Sequence, residues 1–140
     1  MTAGLEVRLK NDLTEIPRLA GLIEAFGDRH GLPDAVVFNL NLCLDELITN
    51  IVSYGYDDDA SHVIAVKLTF AGERLVVEVT DDGRPFDPLS EVAPPDLDSD
   101  LDQREAGGLG VHFVRTLMDD VRYRRDGAFN RLTLSKRVAA

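Results

Sequence analysis

The chain has 140 residues, a length that fits one domain of ordinary size. Hydrophobic residues make up 44% of it and charged residues 29%, which are proportions of a globular protein rather than a disordered or fibrous one. The net charge of −10 argues against binding to nucleic acid or anionic membranes and favours a protein partner with a basic surface. A single cysteine, no secretion leader and no apolar run expected to be long enough to cross a bilayer together predict a cytoplasmic protein.

The first third of the chain predicts one strand and two helices. Apolar and polar residues alternate over residues 5–10, which indicates a half-buried edge strand. An amphipathic helix is expected after Thr14, ending near Gly31. A longer helix is expected from Pro33 to Gly55, because one apolar stripe persists for about four turns. The stripe consists of Val37, Leu40, Leu44, Leu47 and Ile51.

The middle of the chain predicts a hairpin followed by a loop. Residues 64–70 and 75–79 both alternate, and Gly72 lies in the turn between them. Residues 84–106 contain four prolines among many acidic side chains and few large apolar groups, so this segment is expected to be a mobile loop.

The last third predicts a helix and a second hairpin. The helix is expected over residues 109–118, and the strands over 121–125 and 132–137, with a turn at Asp126-Gly127. Mostly antiparallel strands with helices inserted between them predict an α+β fold, a two-layer sandwich with helices over one face of a mixed, mostly antiparallel sheet.

Two polar motifs lie at places suited to a ligand. Glu46 and Asn50 are four residues apart on the long helix, so they share a face beside the apolar stripe. An amide oxygen beside a carboxylate suits Mg²⁺, although an incidental pair on a solvated face gives the same pattern. Asp81 ends a strand and Gly83 follows it, so the carboxylate can accept from a ligand amino group while the glycine lets that ligand approach. A plain Asp-Gly turn is the alternative.

A third motif is a glycine cluster that precedes a predicted helix, Gly107-Gly108-Leu109-Gly110. Unpaired amides at a helix N-terminus form a cradle for phosphate, whereas the alternative is a flexible hinge. Its spacing is that of neither a P-loop nor a dinucleotide fingerprint.

In this order, the three motifs resemble the N box and the two glycine boxes of the GHKL ATPase superfamily. The short chain, Thr49-Asn50, the run Arg84-Pro85-Phe86-Asp87-Pro88 and the stretch from Val114 to Tyr123 resemble the anti-sigma-factor serine kinases within it. The similarity covers nearly the whole chain, which is expected to form one ATP-binding domain over residues 1–140.

The resemblance implies a Bergerat-type sandwich that binds ATP or ADP with Mg²⁺. Asn50 would hold the metal, and Glu46 would act as the catalytic base or orient a hydroxyl. Asp81 would accept from the adenine amino group, and Gly83 would lie against the base. The glycine cluster would border the phosphates, the acidic loop over 84–106 would form the lid, and Thr133 would support the adenine site.

The resemblance also implies a function and its partners. The protein would transfer the γ-phosphoryl group of ATP to a serine of an antagonist protein, would bind a sigma-factor-like partner, and would form a homodimer. A nucleotide-gated binding module without transfer is the alternative. A histidine-kinase catalytic domain would require an upstream helix pair with a phospho-accepting histidine, which is not expected here.

Two positions depart from the family pattern: Pro85 replaces a common glycine, and Tyr54 replaces a common histidine. The remaining candidates for chemistry are isolated residues without metal-ligand spacing, so neither zinc nor a cysteine nucleophile is expected. These residues are His30, His62, His112 and Cys43.

Overall fold

A computed structural model describes residues 2–58, 60–87 and 114–138 of the chain. Within them the chain forms five strands and two long helices, and residues 114–117 add one helical turn. The elements are β1 (Thr2–Lys10), α1 (Glu15–His30), α2 (Asp34–Tyr54), β2 (Val63–Ala71), β3 (Arg74–Asp81), β4 (Asp120–Asp126) and β5 (Phe129–Arg137).

The five strands form one sheet in the order β1-β2-β3-β5-β4. Every pairing in it is antiparallel, so the sheet predicted as mixed and mostly antiparallel is antiparallel throughout the described residues. β1 lies at one edge, as predicted. Because residues in register share a face, apolar side chains form rows across the sheet. One row consists of Val7, Val66, Val79, Leu132 and Tyr123.

The two helices pack on one face of this sheet and form a single core with it. Ile23 of α1, Leu44 and Ile48 of α2, and Leu134 of β5 are all fully buried in that core. The opposite face carries a polar row in register, in which side chains are exposed or half-buried: Glu6, Lys67, Glu78, Thr133 and Arg122. The predicted α+β sandwich of two layers is therefore confirmed.

Helix α2 is also apolar enough to pass for a membrane span. It has 21 residues and a mean hydropathy of 1.4 in its most apolar stretch, so the expectation that no run is long enough was wrong on length and composition. The reason for its hydropathy is its place at the centre of the core, where Leu40, Leu44 and Ile48 are at most 1% exposed. Cys43 lies in the same buried stripe, where burial raises the pKa of its thiol to about 11.

The ends of the helices and strands depend on backbone conformation and backbone pairing, and these ends differ from the ones that side-chain alternation predicts. Helix α1 ends where Gly31 adopts a φ of 73°, a left-handed conformation that favours glycine. β1 begins at Thr2 and β5 at Phe129, both three residues before the predicted starts, because Thr2 pairs with Ala71 and Phe129 pairs with Asp126. The predicted helix over 109–118 is described only from residue 114, and the predicted loop over 84–106 only to residue 87.

Candidate functional site

A cavity opens between the C-terminal half of α2 and the ends of β3 and β5. Its walls combine apolar side chains with three buried polar ones, a combination typical of ligand pockets. The lining residues are Leu47, Asn50, Ile51, Gly55, Val79, Asp81, Phe86, Tyr123, Asn130 and Leu132. Asn50, Asp81 and Asn130 are each 5 to 6% exposed, so three hydrogen-bonding side chains are buried at one place.

The cavity is narrow in this conformation, at about 30 Å³, which is room for one or two water molecules. Phe86, half-buried in the segment that leaves β3, forms part of its wall. This space is smaller than a purine needs, and Phe86 is one of the side chains that bound it.

Asp81 is the carboxylate of this cavity, and one of its oxygens is already occupied. Its Oδ1 accepts hydrogen bonds from the backbone amide of Gly83 at 2.9 Å and from Nδ2 of Asn130 at 3.0 Å. The other oxygen, Oδ2, is the acceptor that remains for a ligand amino group. Burial raises the pKa of Asp81 above its usual value, while the two donors act in the opposite direction.

Asn130 is the centre of the hydrogen-bond network around Asp81. Its Nδ2 donates to Asp81 and to the carbonyl of Arg84 at 2.8 Å. Its Oδ1 accepts from the hydroxyl of Tyr123 and from the backbone amide of Phe86 at 3.3 Å. Because all four hydrogen-bonding positions of the amide are used, Asn130 fixes the orientation of the carboxylate beside it.

The sequence interpretation assigned the supporting role in the last strand to Thr133, and the structure does not bring this residue to the site. Thr133 lies between buried Leu132 and Leu134, so it occupies the opposite face of the sheet, in register with Glu78. Asn130 occupies the inward register beside Asp81 instead. The signal that identifies it is period two: Asn130, Leu132 and Leu134 alternate on one face.

Gly83 lies in close contact with the end of α2. A Cβ at this position would lie 2.5 Å from the carbonyl oxygen of Gly55 and 2.9 Å from Oδ1 of Asp81. The amide of the next residue, Arg84, donates to the same Gly55 carbonyl at 2.8 Å, and its Nε donates to the carbonyl of Tyr54 at 2.6 Å. The turn after β3 is thus fixed to the helix that carries Asn50.

Glu46 and Asn50 lie one turn apart on α2, with Asn50 on the cavity wall. Nδ2 of Asn50 donates to Oε1 of Glu46 at 3.3 Å, which leaves the amide oxygen of Asn50 as an acceptor. Burial raises the pKa of the half-buried Glu46, and nearby Asp45 raises it further, whereas the Asn50 bond lowers it. The described residues contain no cluster of three or more His, Cys, Asp or Glu that could hold a metal alone. Asn50 therefore fits a hard cation that takes its other ligands from phosphate and water.

A second layer of contacts supports the turn from outside. His62 lies between two carboxylates, with Nε2 2.7 Å from Asp58 and Nδ1 3.2 Å from Asp82. These two contacts raise the pKa of the His62 ring, which also stacks on Tyr56 with ring centres 4.2 Å apart. His62 lies in the loop after α2 and ties that loop to Asp82, the residue next to Asp81.

The four residues of the glycine cluster, Gly107, Gly108, Leu109 and Gly110, lie outside the described residues, as does His112. Of the predicted site residues, the structure brings together Asn50, Glu46, Asp81 and Gly83.

This fold and this site define the chain as an ATPase domain of the histidine kinase-like class. Residues 9–136 match the family described as "Histidine kinase-like ATPase domain", and the chain belongs to it. Binding of ATP or ADP follows from this membership.

Curated proteins with similar sequences are named serine or serine/threonine protein kinases. The serine/threonine-protein kinase BtrW of Bordetella bronchiseptica is 36% identical over 104 residues, which are 73% of this chain and 71% of BtrW. The serine-protein kinase RsbW of Listeria monocytogenes is 29% identical over 121 residues, 84% of this chain and 76% of that one. RsbW of Bacillus cereus is 28% identical over 125 residues, 87% and 76% of the two chains.

Two solved structures share the fold. The RsbU and RsbW domains of a Mycobacterium tuberculosis protein match with a TM-score of 0.72 at 16% identity, covering 99% of this chain and 33% of that longer one. The histidine kinase AdeS of Acinetobacter baumannii matches with a TM-score of 0.55 at 13% identity, covering 96% and 68%.

Proposed function

We propose that this protein is an ATP-dependent serine kinase that phosphorylates a protein antagonist and binds a sigma-factor-like partner. The observation that carries the proposal is the buried triad of Asn50, Asp81 and Asn130 around one cavity, in a chain whose relatives are named serine kinases. Oδ1 of Asp81 and the amide of Asn130 are engaged within the fold, which leaves Oδ2 of Asp81 and the amide oxygen of Asn50 as the groups that a ligand or a cation could use.

The nucleotide is held by its two ends. Oδ2 of Asp81 accepts from the adenine amino group, and Gly83 leaves room for the base. The expected phosphate cradle is the cluster Gly107, Gly108, Leu109 and Gly110. Residues 84–106 serve as the lid of a single domain over residues 1–140, and outward movement of Phe86 at its start admits the base.

Asn50 provides the amide oxygen for Mg²⁺. A metal held there would supply positive charge that offsets the charge of the phosphates. Glu46 lies one turn away, and burial raises its pKa, which makes its carboxylate a stronger proton acceptor than an exposed one.

In the transfer step the serine oxygen forms a bond to the γ-phosphorus, and the bond from that phosphorus to the β–γ bridging oxygen breaks. The electron pair stays with ADP. Glu46 orients the serine hydroxyl and accepts its proton, so its contribution is greatest as the new bond forms.

The partners follow from the relatives and from the charge of the chain. A net charge of −10 favours basic protein surfaces and disfavours direct contact with nucleic acid or membranes. A homodimer and a cytoplasmic location belong to the same proposal.

The test uses transfer and binding together. The purified chain is incubated with Mg²⁺ and γ-labelled ATP plus proteins from its own cell, and phosphoserine is located by mass spectrometry. Glu46→Ala should abolish transfer and leave nucleotide affinity within about twofold, because the cavity is not lined by Glu46. Thr133→Ala, on the other face of the sheet, is the matched control and should transfer at the parental rate. Transfer by Glu46→Ala at the parental rate would exclude the assigned role, and tight binding without any phosphorylated product would indicate a nucleotide-gated module instead.

A further inference from the structure

A second concave surface, separate from the nucleotide cavity, lies between the two helices. We name it the helical groove; it is a depression of about 650 Å³ that shares no lining residue with that cavity. Its residues are Ile16, Ala20, Glu24, Asp28, Asp34, Val37, Phe38, Asn41, Leu42 and Asp45. On α1 these residues recur at every fourth position, so they form one ridge about 18 Å long at a rise of about 1.5 Å per residue.

The groove has an apolar floor that the fold leaves uncovered. Phe38 is 69% exposed and Leu42 is 41% exposed, although both lie on the helix that forms the centre of the core. They are one turn apart on the same face of α2. Neighbouring apolar side chains exposed in a concave surface mark a binding site more often than single exposed residues do.

Carboxylates line this floor, and no basic side chain is among the ten lining residues. Glu24, Asp28 and Asp34 lie towards the end of the groove where α1 leads into α2, and Asp45 lies towards the other end. In the described part of the chain, none of the four forms an ion pair. The surface therefore combines hydrophobic contact with an unbalanced negative charge.

We propose that the helical groove docks a basic amphipathic helix of a partner protein. An apolar face of such a helix covers Phe38 and Leu42, while its lysines and arginines reach the carboxylates on either side, the helix-in-groove mode of recognition. Charge complementarity selects this occupant over a second copy of the chain, whose net charge of −10 is of the same sign as the groove. The same sign disfavours nucleic acid and anionic lipid.

One residue of the groove, Asp45, directly precedes the proposed catalytic group Glu46 on α2. This inference rests on the proposed function only in expecting a protein partner, and its test does not require phosphoryl transfer.

The test uses a synthetic peptide of about 15 residues, with leucines at helical spacing and lysines elsewhere. Its affinity for the full chain is measured by fluorescence anisotropy, and its site by amide chemical-shift changes. Phe38→Ala should weaken binding about tenfold. Phe129→Ala removes a phenylalanine that is 46% exposed on β5 and should have no effect. Asp34→Asn should reduce both affinity and its salt dependence, whereas Asp57→Asn, exposed outside the groove, should change neither.

Three outcomes would overturn the proposal: equal binding by Phe38→Ala and the parent, equal binding of a peptide with glutamates in place of lysines, or shifts confined to residues outside the groove. Loss of self-association in Phe38→Ala, measured by sedimentation, would identify the groove as a contact between copies and would also overturn it. Affinity for Mg·ATP is measured in the same variants. If it is unchanged while the peptide fails to bind, only the docking inference fails, and the nucleotide site stands.

Discussion

Replacing Asp81 with asparagine should separate the stability of the fold from its affinity for adenine nucleotide. Asparagine keeps an oxygen where Oδ1 accepts from Gly83 and Asn130, so the internal hydrogen bonds survive. At the Oδ2 position it presents an amide donor to the adenine amino group, which is also a donor. The substitution therefore removes one hydrogen bond to the ligand and creates one unfavourable contact.

The size of the loss in nucleotide affinity follows from the charge of the acceptor. Hydrogen bonds to a charged group contribute about 1.5–3 kcal/mol, so the dissociation constant for Mg·ATP should rise roughly 10- to 150-fold at about 1.4 kcal/mol per factor of ten.

The stability of the fold should change in the other direction. Burial raises the pKa of Asp81 in the fold, so the native state holds more protons than the unfolded chain and its stability falls as pH rises between the two pKa values. A neutral asparagine avoids this loss, so the melting temperature at pH 7 should stay constant or increase.

Isothermal titration calorimetry gives the affinity, and thermal unfolding without nucleotide gives the stability. Asp82→Asn is the matched control, because the same change one residue later removes an exposed carboxylate that contacts His62 rather than the cavity. Its nucleotide affinity should remain within about twofold of the parent. An Asp81→Asn protein that binds Mg·ATP as tightly as the parent would refute the assignment of Asp81, and one that unfolds at a clearly lower temperature would refute the reasoning on its buried charge.

Four further results are expected. Asn130→Ala should lower the free energy of unfolding in urea by about 1–3 kcal/mol and weaken nucleotide binding, because it leaves Asp81 without its side-chain donor; a parental midpoint would contradict this. Nucleotide affinity measured between pH 4 and pH 8 should fall as pH decreases through the raised pKa of Asp81, since the protonated carboxyl loses an acceptor; a flat profile would exclude an ionised acceptor. Gly83→Ala should destabilise the fold by more than about 1 kcal/mol, because its Cβ would lie 2.5 Å from the carbonyl oxygen of Gly55. Gly21→Ala, with nothing within 4 Å in mid-helix, should stabilise it by about 0.5–1 kcal/mol, and equal melting temperatures for the two variants would contradict both statements.

Period and spacing predicted most of the architecture, because the strands and helices of this chain have regular apolar faces. The positions of Glu46 and Asn50 beside the core follow from one such face, since a residue four positions away lies one turn along the same helix. The edge position of β1 was also predicted from its alternation and is confirmed.

The last strand, β5, shows what apolar alternation does not predict. Asn130 lies in an inward register position, but a polar residue there interrupts the apolar alternation, so the strand was predicted to begin only at Leu132. Pairing of Asn130 with Asp81 and of Phe129 with Asp126 keeps the backbone extended from Phe129, and the first of these pairings joins residues 49 positions apart. Thr133 was assigned by resemblance, and only the register of β5 against β3 shows that it faces away from the cavity.

The helical groove could not be predicted from the sequence either. Phe38 and Leu42 continue the apolar character of α2, and hydropathy alone does not distinguish an apolar face that is buried from one that is left open. The crossing of α1 over α2 decides it, because α1 covers one side of that helix and leaves Phe38 exposed.

The most direct test of the proposed kinase activity is transfer from γ-labelled ATP to a serine of a protein antagonist recovered from the same cell. The predicted result is phosphoserine on that protein with the parent and the Thr133→Ala control, none with Glu46→Ala, and nucleotide binding retained in all three. Phosphoserine formed equally by Glu46→Ala and the parent, or its absence from every protein recovered while Mg·ATP remains bound, would contradict the proposal.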